Sequence, residues 1–268
     1  MDYIWNKVMV MGKRFLPFCL FTLLPLTAVA QKDDFGFDFS LEAQKKLSKE
    51  WSLSLEGEYR SRNNAKTNDR WSIGLGVDYK VAKWLKASAG YTLLYDNNEK
   101  TSYYEATDDD VIDGDAEVGD PKKCAQYWAT RHRFNVSLTA SQKWGNWKFS
   151  LRERWQYTYR PEKTVTRWDF DNSYWEDKVR SSRGKNQLRS RLQLEYDQKG
   201  ALFTPYVNVE LYNSLAIEKI RYTVGTDLNL TKQHTFSLFY RYQNMKNVDA
   251  DEYDPDMHYI GVGYKFKF

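Results

Sequence analysis

Hydrophobic and polar residues alternate along most of the chain with a period of two, which is the pattern of β-strands rather than of helices. One run, for example, places Trp71, Ile73, Leu75 and Val77 on one face and small or polar residues on the other. No segment carries a helical stripe, so the pattern predicts an all-β protein. Eleven such runs are found, at about 35–44, 51–60, 71–80, 85–95, 131–142, 147–159, 187–197, 203–213, 219–229, 235–245 and 258–268.

The connections between the runs alternate in length, as expected for an up-and-down antiparallel meander with two different rims. The runs are about ten residues long, which matches the ~9–11 residues that a tilted strand needs to cross a bilayer. Short polar turns fall at 47–50, 81–84, 143–146, 197–200 and 230–234, and longer or more variable links fall at 61–70, 96–127, 160–186, 214–218 and 246–257.

Three features indicate that the apolar face meets lipid and the charged face lines a lumen. Aromatic residues recur eight positions apart on the apolar face, as at Trp51 and Tyr59, a spacing of ~26 Å along a strand and close to the height of a lipid-facing band with aromatic girdles. The opposite face carries charges of both signs. The last strand alternates and finishes on Phe268. The alternative is a soluble β-protein, whose apolar face would point inward.

The number of strands in such a barrel is constrained by closure, because a sheet in lipid must leave no unpaired edge. Single-chain bacterial barrels have even strand numbers, which place both chain ends at the periplasmic rim. We therefore expect an antiparallel transmembrane β-barrel of ten to twelve strands, with twelve preferred. Because eleven runs are found and an even number is expected, either a further strand lies within 96–127 or 160–186, or the first run is not a full crossing. An odd number would contradict this assignment of the rims.

Residues 1–30 are predicted to be a signal peptide, which is removed before folding. A basic flank and an apolar run precede the small-x-small site that ends at Ala30, so cleavage is predicted after that residue. The chain starts at Met1 or, since the first ten residues add nothing that a signal needs, at Met11. Residues 31–268 would then form the barrel.

The composition agrees with a sheet that has two unlike faces. The chain is 41% hydrophobic, 28% charged and 16% aromatic, and its mean hydropathy is −0.75. Such a mean excludes helical spans, but it averages a lipid face with a water face and does not exclude a membrane strand. A formal net charge of +4 gives no reason to propose nucleic acid as a partner. Cleavage after residue 30 leaves Cys124 as the last cysteine, so the mature chain has no intramolecular disulfide.

Several segments resemble a family of Gram-negative proteins that carry a domain of unknown function (DUF) and are regarded as outer-membrane β-barrels. These segments are Phe37–Arg60, Leu151–Trp155, Leu188–Leu192 and the terminal strand. The resemblance implies fold and location, and it supplies no catalytic residue. Tyr264, Phe266 and Phe268 resemble the terminal signal that the barrel assembly machinery reads. We therefore expect a monomer in the cell outer membrane, in contact with lipid and lipopolysaccharide.

Candidate chemistry is concentrated on the polar faces of the runs. One interpretation is a set of ion pairs that fill a narrow lumen, because a buried unpaired charge is costly. The other is a charged constriction that selects small anionic solutes. The lumen-lining candidates are Arg60, Arg133, Arg152, Arg154, Arg189, Arg191, Arg221, Arg241, Glu56, Glu58, Asp78, Glu195, Glu210 and Asp227.

The long links offer weaker candidates. The acidic segment 105–120 could bind Ca²⁺ or bridge to lipopolysaccharide through divalent cations, but it lacks the EF-hand pattern and is more simply a solvated loop. The aromatic residues of 160–186 would plug the barrel, meet a sugar or protein partner, or pack on one another. His258 follows Asp254 and Asp256, so a hydrolytic rim site is a remote alternative.

The sequence predicts a barrel protein without cofactor or metal and without a convincing catalytic constellation. The preferred hypothesis is a narrow pore or binding barrel for small solutes with an arginine-rich lumen. The competing hypothesis is a structural or envelope-assembly barrel that transports nothing.

Overall fold

The computed structural model describes residues 33–105, 108, 111, 117–246 and 255–268. The predicted signal peptide and most of the acidic segment lie outside these residues. No helix in the described part of the chain is long and apolar enough to span a membrane. The described strands are β1 (Asp33–Lys46), β2 (Trp51–Arg62), β3 (Thr67–Lys80), β4 (Leu85–Tyr103), β5 (Pro121–Trp144), β6 (Trp147–Arg160), β7 (Lys163–Asp169), β8 (Tyr174–Arg180), β9 (Arg183–Tyr196), β10 (Phe203–Asn213), β11 (Ile217–Asn229), β12 (His234–Met245) and β13 (Asp256–Lys267).

Eleven of these strands form a closed barrel. Their order is β4-β3-β2-β1-β13-β12-β11-β10-β9-β6-β5, and the pairing of β4 with β5 closes the ring. Each of the eleven predicted runs corresponds to one barrel strand, so the all-β transmembrane barrel is confirmed. The preferred count of twelve is wrong, although eleven lies within the predicted range.

The described residues of the two long links contain no twelfth crossing. Strands β4 and β5 continue their pairing beyond the barrel wall, from Asp96↔Ala129 to Tyr103↔Pro121, which shortens the predicted link 96–127. The link 160–186 does contain strands, but β7 and β8 form a hairpin. This hairpin joins the sheet through Lys123↔Asp169 and Cys124↔Trp168 of β5 and β7. The hairpin therefore lies at the rim, and its two strands are not part of the closed barrel.

Because the number of barrel strands is odd, the pair that joins the first strand to the last, β1 with β13, is parallel. A Cβ added to Gly263 would lie 3.0 Å from Ser40 Oγ, and Lys265 Nζ lies 2.6 Å from Glu42 Oε1. Further along, the Phe268 amide donates to the Gln44 carbonyl at 2.9 Å. Residue numbers on the two strands thus rise together. The expectation that both chain ends lie at one rim is wrong, because β1 begins at the rim opposite to the one where β13 ends.

The two rims differ in the length of their connections, as the spacing predicts. We call the rim that holds the turns 47–50, 81–84, 145–146, 197–202 and 230–233 the short-turn rim. The turn between β5 and β6 is two residues long and has Gly145 at a φ of 57°, a conformation that favours glycine and suits a tight hairpin. The opposite, long-loop rim holds the extended β4–β5 pair and the β7–β8 hairpin.

The outer face of the barrel is apolar and ends in aromatic girdles. Near the short-turn rim the ring centroids of Trp51 and Tyr79 lie 4.6 Å apart, and toward the long-loop rim those of Tyr59 and Trp71 lie 4.4 Å apart. Aliphatic residues such as Leu75, which is 63% exposed, fill the band between them. Exposure of this kind on every strand is what a lipid-facing surface requires.

Candidate functional site

The inner face of the barrel is identified by side chains that meet across an intervening strand. Arg241 of β12 reaches Asp38 of β1 at 2.5 Å although β13 lies between them, and Arg152 of β6 reaches Glu210 of β10 across β9. Such contacts form only where a curved sheet brings side chains together. By the alternation and registers of their strands, all fourteen lumen-lining candidates point to this face.

A layer of charged and aromatic side chains crosses the lumen nearer the long-loop rim, and we call it the closure layer. Every barrel strand contributes to it. Six of its members were not among the sequence candidates: Asp38, Arg70, Asp96, Arg131, Tyr212 and Tyr259. The full layer is Asp38, Arg60, Arg70, Asp96, Arg131, Arg152, Arg189, Glu210, Tyr212, Arg221, Arg241 and Tyr259.

Glu210 is the centre of one part of the closure layer. It is 6% exposed and accepts hydrogen bonds from Arg152 and from Arg189 Nη2, the latter at 2.9 Å. The Tyr212 hydroxyl donates to Glu210 at 3.0 Å and accepts from Arg221 Nη1 at 2.6 Å. The guanidinium groups of Arg189 and Arg221 lie 4.4 Å and 4.9 Å from the centroid of the Tyr212 ring. These contacts combine charge-assisted hydrogen bonds with cation–π interactions, both strong in a desolvated site.

Two further carboxylates hold the rest of the layer. Asp38, 2% exposed, lies between Arg241 and Arg60, whose Nε is 3.2 Å away. Asp96, 4% exposed, accepts from Arg70 and lies 3.3 Å from Arg131 Nε. Each buried carboxylate therefore faces at least two guanidinium groups, and the layer as a whole contains more positive than negative charge.

The surplus of arginine is greatest on β6 and β9. Arg152 stands directly opposite Arg191, and Arg154 stands directly opposite Arg189. Like charges in such cross-strand positions are destabilising. Glu210 pairs with Arg152 and Arg189, whereas Arg154 and Arg191 form no ion pair with any residue that the structure describes. The buried Nε of Arg154 has no hydrogen-bond acceptor.

A cavity of about 240 Å³ is lined by Arg191 of this cluster. Its floor is formed by Arg191, Glu210 and Arg241, and its walls carry amide, hydroxyl and carboxylate groups. Strands β9 to β12 supply the lining, which also includes Gln193, Tyr206, Asn208, Thr223 and Asp227. Glu210 and Arg241 have ion-pair partners in the closure layer, whereas Arg191 has none among the described residues. The cavity is therefore suited to a small hydrophilic molecule.

The histidines lie on the outside of the barrel rather than in a catalytic group. His132 Nδ1 lies 2.8 Å from the Tyr91 hydroxyl, and His258 Nδ1 lies 2.6 Å from that of Tyr240. His234 makes the same contact with Tyr264 at 2.8 Å. Asp254, a member of the remote hydrolytic alternative, lies outside the described residues. Among the residues described, no group of three or more His, Cys, Asp or Glu side chains could hold a metal ion.

The β7–β8 hairpin is fixed to β5 by an ion-pair cluster outside the membrane-spanning strands. Lys123 Nζ lies 2.7 Å from Asp169 and 2.8 Å from Glu176. The hydrogen bond from Lys123, helped by the backbone amide of Asn172, lowers the pKa of Asp169 to about 2. Lys123 and Arg167 lower the pKa of Glu176 as well. The aromatic residues of the link 160–186 thus belong to a hairpin docked on β5. In this hairpin the ring centroids of Trp168 and Trp175 lie 5.2 Å apart.

Two of the solved structures that this chain resembles are domains of autotransporters. The translocator domain of the autotransporter NalP from Neisseria meningitidis matches with a TM-score of 0.50 and 10% identity, covering 99% of this chain and 98% of that one. The β-domain of the Bordetella autotransporter Brka has a TM-score of 0.49 and 13% identity, and covers 83% of this chain and 86% of its own. At such identities the likeness to NalP concerns the fold alone.

Sequence comparison identifies the family. No sequence among the curated proteins matches the chain. The profile of the family described as "Protein of unknown function (DUF2490)" matches residues 35–254. This range runs from the first barrel strand to the link between β12 and β13. The resemblance seen in the sequence motifs is thereby confirmed: the chain belongs to the DUF2490 family.

Proposed function

We propose that this protein is exported to the outer membrane and that its arginine-rich lumen binds small anionic solutes. The observation that carries the proposal is the pairing of Arg152 with Arg191 and of Arg154 with Arg189 on adjacent strands. Two of these four guanidinium groups share Glu210, and the other two form no ion pair with a described residue.

The energetic argument is that a cation removed from water without a counter-charge is unfavourable, and Arg154 and Arg191 are both half-buried. An anion in the cavity would reduce this cost, because guanidinium groups bind carboxylate, phosphate or sulfate through short charge-assisted hydrogen bonds. Arg191 lines the cavity and is the first candidate to contact such an anion. We expect no catalysis and no cofactor in this function.

The test is calorimetric titration of the refolded barrel in detergent with inorganic phosphate and with sulfate. Arg191→Gln should weaken the affinity by roughly tenfold or more, because a hydrogen bond to a charged group contributes about 1.5–3 kcal/mol. Lys199→Gln is the matched control: it removes the same charge from an exposed turn at the short-turn rim and should leave the affinity unchanged. Equal losses in both variants, or no binding by the unaltered barrel, would contradict the proposal.

The second candidate function is that of a structural barrel without a ligand. It is favoured by the closure layer, to which all eleven strands contribute and in which Asp38, Glu210 and Tyr259 are almost fully buried. If the layer only fills the lumen, the Arg191→Gln variant should be more stable to urea than the unaltered protein, because one unpaired charge has been removed, and neither anion should bind.

In either function the outer surface would contact lipid and lipopolysaccharide as a monomer. Tyr264, Phe266 and Phe268 would serve as the signal for the barrel assembly machinery. Their position supports this role: Phe266 and Phe268 stack at 5.4 Å at the short-turn rim, where β13 ends. Deleting Phe268 should lower the amount of heat-modifiable protein in the membrane fraction.

A further inference from the structure

The lumen is closed on one side of the cavity and open on the other, and this asymmetry concerns how a solute would reach the arginines. The cavity extends from Asp227, two residues before the end of β11 at the short-turn rim, to Glu210, three residues before the end of β10 at the long-loop rim. Tyr206 and Asp227 near the short-turn rim are half-exposed, whereas Glu210 at the floor is buried.

Beyond the floor the lumen is filled. Tyr212 and Tyr259 are each 3% exposed, and Arg221 Nε donates to Gln243 at 2.8 Å. Further toward the long-loop rim, Gln187 accepts a hydrogen bond from Gln156 at 3.0 Å, and both are buried. Two successive tiers of buried side chains therefore separate the cavity from the long-loop mouth.

Toward the short-turn rim the inner face carries glycines on three strands. They are Gly74 and Gly76 of β3, Gly90 of β4, and Gly261 and Gly263 of β13. Neighbouring side chains lie over some of them, as Phe239 does over Gly261. Charged side chains near this rim form exposed or half-exposed ion pairs, such as Lys86 with Asp78. Along β3 and β13 the inner face thus changes, toward the long-loop rim, from glycine to Arg70 and Tyr259 of the closure layer.

We infer that the lumen is a blind anion-binding pocket entered from the short-turn rim, and that it does not conduct between the two rims. This rests on the proposed function for the identity of the ligand, but its sidedness rests on the closure layer alone. The ligand class is a small, highly polar anion such as a phosphate, sulfate or short hydroxycarboxylate. A cavity of about 240 Å³ suits a ligand of this size.

The experiment uses single cysteines in a Cys124→Ser background and a small, membrane-impermeant anionic thiol reagent. Ser48→Cys marks the short-turn rim, Leu215→Cys marks the long-loop rim, and Asn208→Cys places a thiol in the cavity wall. Each is assayed in intact cells and in permeabilised cells. Only the rim that faces the medium should be labelled in intact cells, whereas both rims should be labelled after permeabilisation. Asn208→Cys should follow Ser48→Cys in both assays. If Asn208→Cys follows Leu215→Cys instead, the inference is overturned.

Two added measurements separate this inference from the proposed function. Inorganic phosphate should slow the labelling of Asn208→Cys while leaving Ser48→Cys unaffected; absence of this protection overturns the anion ligand but not the sidedness. In planar bilayers the unaltered barrel should give no steady conductance, whereas Tyr212→Ala combined with Tyr259→Ala, which removes two aromatic rings from the closure layer, should conduct. Steady anion-selective conductance by the unaltered protein would overturn the blind pocket and leave anion recognition in place.

Discussion

The Ser190 hydroxyl donates a hydrogen bond of 2.6 Å to the carboxylate of Glu153 on the outer face of the barrel. Glu153 lies between Leu138 of β5 and Ser190 of β9, and it is the single charged residue on the outer face of β6 between Trp147 and Tyr159. It lies six positions along the strand from each of these aromatic residues, a distance of ~20 Å. A carboxylate therefore sits near the middle of the lipid-facing band.

Glu153→Leu should stabilise the barrel, because a charged side chain at this depth is unfavourable in lipid. We expect a gain of about 1–2 kcal/mol in the free energy of unfolding, less than the 2–4 kcal/mol known for basic residues at the midplane. Reversible urea unfolding in lipid vesicles measures it. Ser190→Ala should destabilise the unaltered protein by ~1 kcal/mol and have almost no effect beside Glu153→Leu. A loss of stability in Glu153→Leu would show that the hydrogen bond from Ser190 outweighs the cost of placing this carboxylate in lipid.

The parallel closure of β1 on β13 predicts a specific disulfide. In a Cys124→Ser background, Ser40→Cys with Gly263→Cys should crosslink spontaneously, because a Cβ on Gly263 would lie 3.0 Å from Ser40 Oγ. The crosslink joins distant parts of the chain and should speed the migration of the boiled, non-reduced protein in a denaturing gel. Ser40→Cys with Gly261→Cys, two residues out of register, is the control. Crosslinking of the control pair alone would show a different closing register.

The turn between β2 and β3 depends on the carboxylate of Asp34. Its oxygens accept hydrogen bonds from the amides of Asn63 at 2.6 Å and Asn64 at 2.8 Å, and Asn63, Asn64 and Ala65 all have positive φ values between 53° and 65°. Asp34→Ala should cost about 1–3 kcal/mol in unfolding free energy, because two backbone amides lose a charged acceptor.

Relief of the strained turn is the converse test at the same site. Ala65→Gly should gain about 1 kcal/mol, since a left-handed conformation costs an alanine roughly this much and glycine very little. Urea unfolding measures the effect, and Ala87→Gly in β4, at an extended position on the outer face, should lose stability. A loss in Ala65→Gly would mean that the turn is held by more than its backbone conformation.

Docking of the β7–β8 hairpin should depend on pH through Asp169. The pKa of this carboxylate is lowered to about 2 in the folded protein, against about 3.9 for an unperturbed aspartate. A lowered pKa stabilises the docked state above pH ~4, and this stabilisation is lost as the pH falls from about 4 to about 2. A spin label at Lys178→Cys in a Cys124→Ser background should be immobile at neutral pH and become mobile over that interval. Asp169→Asn should give a mobile label at every pH.

The sequence predicts the strands and the orientation of their faces well, because the period of two directly reports which side of a sheet meets lipid. The same parity places Glu153 among the apolar residues of the Leu151–Trp155 motif, so the outward carboxylate could have been found by asking which charge breaks the pattern. Tyr212 and Tyr259 could have been found likewise, as aromatic residues at inward positions of β10 and β13.

Other features are set by interactions that sequence spacing does not contain. The choice between an even and an odd ring depends on whether β1 meets β13 in a parallel or an antiparallel register, and these segments are more than 200 residues apart in the chain. The sharing of Glu210 by Arg152 and Arg189 depends on barrel curvature, which brings β6 within reach of β10. The β7–β8 hairpin was hidden because its strands are short and charged.

The parallel seam also has a consequence for the order of assembly. Nine of the ten other pairings of the barrel join strands that are consecutive in the sequence, and the tenth, β6 with β9, is interrupted only by the β7–β8 hairpin. The sheet can therefore grow one neighbour at a time. Only the β1–β13 pair joins the first strand to the last. It closes the longest loop of the chain and therefore carries the largest entropic cost. Until that step, the growing sheet exposes β1 at one edge and β13 at the other. These two edges can pair in parallel within one chain or between two copies of the chain. Barrel closure must therefore outpace this intermolecular joining.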